Sequence, residues 1–227
     1  MPHQPRVSIG SVLLAKRWLT EEELRAATVK SMRAGEVLEA TLVQMGLIDE
    51  WQLTSARATQ WGYPVMAKER TIVSAQTDLP VSLMRTFSGV PLHHSASAQR
   101  VLFGFVYRVE HSLLHAIEQA TGFRAEPCFI TPSEYRHRME HLQPAPECRD
   151  VFLDDSLTPT EIANKVGDLA LEVKARETSF SHCREFAWIR LSSQRRMVNV
   201  LFRYRDATAV QRCDILPETI EEVRAFG

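Results

Sequence analysis

The chain has 227 residues with 27 Lys+Arg against 28 Asp+Glu, and this charge of −1 argues against a protein that coats nucleic acid or anionic membrane as its main task. Nine glycines are few for this length, and none stands in a G-x-x-x-x-G-K-S/T or G-x-G-x-x-G phosphate loop. A P-loop ATPase or Rossmann enzyme within this sequence is therefore excluded.

The length allows a sizeable core without disulfide or metal staples. Val101 to Tyr107 is the longest strongly apolar run, far short of the ~20 residues of a membrane helix, so no membrane insertion is expected. Met1 to Arg6 leads into an amphipathic segment rather than a signal-peptide core. Cys128, Cys148, Cys183 and Cys213 form no C-x-x-C pair, and reduced thiols in a cytoplasmic protein are the expectation.

The first elements form an internal repeat. An offset of 29 places Leu13 on Leu42, Ile9 on Leu38, Leu14 on Val43, Leu19 on Ile48 and Leu24 on Leu53. Thr20 with Glu23 reads as a capping box, and Asp49 with Gln52 is its second copy. Each unit is predicted to be a short apolar helix, a turn and a capped helix, the pair forming a helical subdomain over 7–60.

Trp61-Gly62-Tyr63-Pro64 stops the helical pattern. Strands are predicted around Gly89-Val90-Pro91-Leu92 and Val101 to Tyr107, then a helix over His111 to Thr121 with Gly122 as its left-handed cap. Arg124 to Ile130 reads as a strand, and Thr131-Pro132-Ser133-Glu134 opens another helix. These elements make a small α+β subdomain over 61–142.

Gln143 to Glu147 holds two prolines and opens a predicted linker over 143–157. A separate C-terminal α+β unit is expected over 158–227. It begins with a helix at Thr158-Pro159 carrying Ile162, Val166, Leu169 and Val173 at helical period. Phe186 to Leu191 and Met197 to Tyr204 read as a hairpin, with Val198, Val200, Phe202 and Tyr204 on one face. Asn199, Arg203 and Arg205 fall on the other, Leu201 being the exception, and Pro217 opens a closing helix. The expected fold class is thus α+β: a tandem-repeat helical subdomain, a small α+β subdomain, and a separate α+β unit.

Residues 7–142 resemble the N-terminal domain of type II secretion and type IV pilus assembly ATPases, the MshEN domain. The resemblance rests on Ile9-Gly10, Leu13-Leu14, Leu19-Thr20-Glu21-Glu22, Arg33-Ala34-Gly35-Glu36 and Leu42 to Ile48. It continues through Gln60, Trp61-Gly62-Tyr63-Pro64, Thr121 to Pro127 and Ile130 to Glu134. It implies a non-catalytic interaction or regulatory protein, without the motor, whose partner is a component of the secretion or pilus machinery.

Some members of that family bind cyclic di-GMP through the repeat. Carried over by position, the ligand residues would be Ile9, Gly10, Leu13, Arg17, Leu38, Leu42, Gly46 and Gln60. The sequence departs from the pattern at Ser8 and Val37, where arginine is expected, at Arg17 and Glu39, where glycine is expected, and at Ser31, where glutamine is expected. A receptor for this nucleotide is the alternative reading.

Three constellations stand apart from the resemblance. His137-Arg138-Met139-Glu140-His141 is a literal H-x-x-E-H, which makes a zinc hydrolase the minor alternative; no metal and no cofactor is expected. His111 with His115, and His182 with Cys183, read as ordinary surface and structural residues. Residues 184–205 hold six arginines against one acid, and Arg190, Arg195, Arg196, Arg203 and Arg205 are the candidate interaction residues, for a protein face rather than nucleic acid.

Overall fold

The computed structural model describes residues 7–66, 76–95 and 97–203. Arg205, Cys213 and the helix expected from Pro217 lie outside these residues. The described chain divides into two compact units. The first holds 7–66, Met84–Glu110 and Ala125–Leu142; the second holds Gln76–Leu83, His111–Arg124 and 143–203.

The first unit opens with α1 (Ile9–Ala15), α2 (Glu21–Ala34), α3 (Leu38–Gln44) and α4 (Glu50–Trp61). Both predicted capping boxes form. Thr20 accepts from the Glu23 backbone while the Glu23 carboxylate accepts from Thr20 N at 2.8 Å. Asp49 accepts from Gln52 N at 2.7 Å, and Asp49 N donates back to the Gln52 amide oxygen at 2.9 Å. Ile9, Leu13, Leu19, Leu42, Ile48 and Leu53 meet in one core, which is the offset of 29 read from the chain. Gly62 ends α4 in the left-handed region at φ 72°.

The same unit carries α5 (Val81–Phe87) from Met84 onward, β2 (Gly89–Ser95), β3 (Arg100–Phe105), β4 (Arg124–Phe129) from Ala125 onward, and α7 (Pro132–His141). The strands lie in the order β2-β3-β4, with β2 and β3 antiparallel. Val90, Leu92, Val106, Cys128 and Ile130 form a second core onto which Tyr135, Met139 and Leu142 pack. Gly104 is needed there, because a Cβ would sit 2.9 Å from Ile130 Cγ2.

The second unit contains β1 (Gln76–Thr77), α6 (His111–Thr121), β5 (Gln143–Pro144), β6 (Cys148–Phe152), α8 (Pro159–Val173), β7 (Glu177–Cys183), β8 (Phe186–Ser192) and β9 (Met197–Arg203). Its sheet runs β6-β9-β8-β7, with β6 parallel to β9 and the other pairs antiparallel. Val166, Val173 and Leu153 pack with Ala187, Ile189, Leu191, Val198, Val200 and Phe202 on one face. Thr158, with Pro159 behind it and Glu161 completing the box, caps α8 as the sequence suggests.

Two expectations differ from the structure. The predicted linker is not a free tether: β5 pairs with β1, and β6 adds a parallel edge to β9. That pairing joins residues about fifty apart, and no local periodicity announces it. Residues 76–83 and α6, read as parts of the 61–142 subdomain, pack within the second unit, where Ser112 Oγ on α6 lies 3.6 Å from Cys183 Sγ. On the other face of β9, Asn199 and Leu201 are both fully buried. A sheet covered on both faces explains why Leu201 breaks the alternation.

Candidate functional site

The two helical repeats carry the residues that the resemblance would give to a ligand, and each has a place in the fold. Ser8 caps α1, its hydroxyl accepting from Ser11 N at 3.1 Å; Val37, its counterpart before α3, makes no side-chain cap. Ile9 and Leu38 pack on the repeat core, and Leu13 and Leu42 are 0% exposed within it. At Gly10 a Cβ would stand 3.1 Å from Leu24 Cδ2, so glycine lets α1 approach α2.

The turns between helices are duplicated atom for atom. Arg17 N donates to Leu14 O at 2.9 Å and Trp18 N to Leu13 O at 3.0 Å; Gly46 N donates to Val43 O at 3.0 Å and Leu47 N to Leu42 O at 3.1 Å. This is the Schellman closure, which requires a left-handed residue at its corner. Arg17 and Gly46 supply it, at φ 56° and 68°.

Gln60, at the end of the second repeat, donates from Nε2 to Val7 O at 2.7 Å and so ties the last helix to the start of the first. Glu39 is half-buried near Arg57. Burial pulls the Arg57 guanidinium below its ordinary value, and the negative charge of Glu39 opposes that shift. Arg57 also donates to Val106 O at 3.4 Å and lies 5.4 Å from the Tyr107 ring centre. The repeat thus brings the eight candidates into one subdomain, where Leu13 and Leu42 face inward and Gly46 and Gln60 have backbone duties.

Two surface features of the repeat were not read from the sequence. An open apolar depression of about 320 Å³ is lined by Leu14, Glu21, Leu24, Arg25, Thr28 and Val29. Five of these lie three or four residues apart on one face of α2, a spacing that could have exposed it. Trp18 and Trp51 sit 5.9 Å apart, with Lys16 Nζ 4.8 Å over the Trp18 ring. Their partnership crosses the two repeats and leaves no local signal.

The arginines of the hairpin divide. Arg190 is buried and pairs with Asp78, beside a network centred on Asn199. Asn199 accepts from Trp188 Nε1 at 3.0 Å and donates to Asp150 Oδ1 at 3.0 Å and Asp78 O at 3.1 Å. Burial raises the Asp150 carboxyl above its ordinary value, against the hydrogen bonds from Asn199 and Val81. Cys148, also in contact with Asn199, is pushed up to about 11 by burial and two nearby carboxylates, so this thiol stays protonated.

Arg195 and Arg196 are exposed in the β8-β9 turn, while Arg203 is exposed at the far end, 5.1 Å from the Phe186 ring centre. Seven-residue strands separate those ends by roughly 20 Å, so these arginines do not form one continuous patch. His182 and Cys183 point to opposite sides of β7, as strand neighbours must, and His182 stacks edgewise on Phe180 at 4.5 Å. Among the described residues no helix is long and apolar enough to cross a membrane.

The chain matches no family model. Over 138 residues, 60% of its length, it is 25% identical to the type IV pilus assembly ATPase PilB of Thermus thermophilus. It is similar to part of a pilus ATPase. The chain spans 16% of that relative's length. Among solved structures, MshE with cdg aligns with 61% of this chain and 100% of its own, at TM-score 0.49 and 19% identity. The N-terminal domain of XpsE aligns with 63% of this chain and 98% of its own, at TM-score 0.44 and 19% identity.

Proposed function

We propose that this chain is a non-catalytic interaction and regulatory module of the kind found at the N-terminus of type II secretion and type IV pilus ATPases. It acts in the bacterial cytoplasm on a protein component of such a machine. The similarity to PilB over 138 residues carries this reading. The absence of a phosphate loop from the sequence agrees with it. The exposed arginines at the two ends of the hairpin, Arg195 and Arg196 at one and Arg203 at the other, offer charged contacts for an acidic partner face.

Affinity capture of the full chain from solubilised bacterial cells tests the proposal. A secretion or pilus component should be recovered, and charge reversal at Arg195 and Arg196 should weaken its capture. ATP turnover by the purified chain that survives repurification and falls with substitutions in the chain would overturn the reading.

The alternative is a cyclic di-GMP receptor using Ile9, Gly10, Leu13, Arg17, Leu38, Leu42, Gly46 and Gln60. The matches at Ile9, Gly10, Leu38, Gly46 and Gln60 favour it; the fold employs Gly10, Gly46 and Gln60 for helix approach, turn closure and helix tethering. Calorimetric titration of the nucleotide into the full chain separates the two readings.

A further inference from the structure

We propose that His137, Glu140 and His141 form a binding site for a borderline divalent transition metal, zinc being the reference ion. The three donor atoms all lie within 4.8 Å of one another on the last turns of α7. Two imidazoles four residues apart with a carboxylate between them suit such a cation better than magnesium or calcium, which prefer all-oxygen shells.

The local geometry prepares one of the imidazoles. His141 Nδ1 is 2.7 Å from His137 O, so its N–H donates to that carbonyl and leaves the Nε2 lone pair for a metal. The two rings stand 4.7 Å apart between centres. Tetrahedral zinc at ~2.0–2.1 Å from each donor needs donors roughly 3.4 Å apart, so closure asks for about 1 Å of side-chain rotation. All three residues are exposed, and that rotation meets no core packing.

The helix holds the trio steady and supplies a favourable field. Tyr135 and Met139 pack into the core beneath α7, and Tyr135 Oη donates to Met84 O at 3.2 Å. α7 ends at His141, so the trio occupies its carbonyl end, where the helix dipole favours a cation. The neighbouring arginines are directed elsewhere: Arg138 Nε lies 2.6 Å from Glu134, and Arg136 lies 3.7 Å from Glu50. Neither pairs with Glu140. With three protein donors on an open face, the remaining coordination positions fall to water or to a group from another molecule. The site is one of binding: Glu140 serves as a ligand and is not left as a base.

The test is calorimetric titration of zinc into the full chain, purified without a histidine tag, with circular dichroism to verify folding of each variant. One zinc per chain is expected, with binding at least about tenfold weaker in His137→Ala and in His141→Ala and weakened in Glu140→Gln. Loss of that zinc in the folded double variant His137→Ala/His141→Ala supports the site. Equal uptake by the wild type and the double variant, or no uptake by the wild type, overturns it.

Discussion

Arg17 and Gly46 occupy the same left-handed corner in the two copies of the repeat, at φ 56° and 68°, 29 residues apart. The hydrogen bonds around them match donor for donor. An L side chain at such a corner costs roughly 1–2 kcal/mol, a cost that glycine avoids.

Arg17→Gly should therefore stabilise the chain. Relief of the left-handed conformation exceeds the added freedom of glycine in the unfolded chain, for a net gain of about 0.5 kcal/mol. Gly46→Arg should cost about 1 kcal/mol by the same reasoning. Urea unfolding at unchanged slope reads both as shifts in midpoint, and a lower midpoint for Arg17→Gly would show that the arginine side chain contributes more than its backbone costs.

The repeat was legible because its determinants are local. Capping boxes at Thr20 and Asp49 span four residues each, and the apolar offset recurs within sixty residues. The pairing of β6 with β9 and the placement of α6 were not, since both depend on partners far along the chain. Arg190 illustrates the limit at the level of a single residue. The sequence places it among candidate interaction residues, whereas the fold buries it in a pair with Asp78, 112 residues away. The structural duties of the repeat residues, such as Gln60 holding Val7 O, required the fold.

Asn199 is the residue on which the second unit's polar interior depends. Asn199→Leu leaves the Trp188 indole N–H and the half-buried Asp150 without this partner, for an expected loss of about 3 kcal/mol. Asn199→Asp should be worse at neutral pH, because it sets a second carboxylate against Asp150. Denaturant midpoints measure both, with Trp188 indole exchange as a local readout. Equal stability of wild type and Asn199→Leu would refute the assignment.

Acid should weaken the helix starts. The carboxyls of Glu23 and Glu161 lie below the ordinary carboxylate value, first because backbone N–H groups of Thr20 and Thr158 donate to them and then because their hydroxyls do. A depressed folded value means stability that is present above pH 4.5, their ordinary value, and is lost as pH falls through the folded one. Asp150 runs the other way, since its raised value gives a contribution present below the ordinary aspartate value and lost as pH rises through the folded one. The double variant Glu23→Gln/Glu161→Gln should flatten the acid limb of stability against pH. An unchanged limb would place the acid sensitivity elsewhere.

The choice of variant decides whether a nucleotide titration is informative. Leu42 is 0% exposed, so Leu42→Asp introduces an uncompensated charge into the repeat core and abolishes binding by unfolding, whatever the ligand does. Even Leu42→Ala should cost about 2–5 kcal/mol. Gln60 is a better probe. Its single bond to Val7 O is exposed, so Gln60→Ala should lower stability by only about 0.5–1 kcal/mol and leave the fold intact. For an interaction module, titration of cyclic di-GMP into wild type and Gln60→Ala should be flat in both. Micromolar binding to the wild type that weakens about tenfold or more in the folded Gln60→Ala variant, a loss of about 1.4 kcal/mol, would instead assign the repeat to the nucleotide.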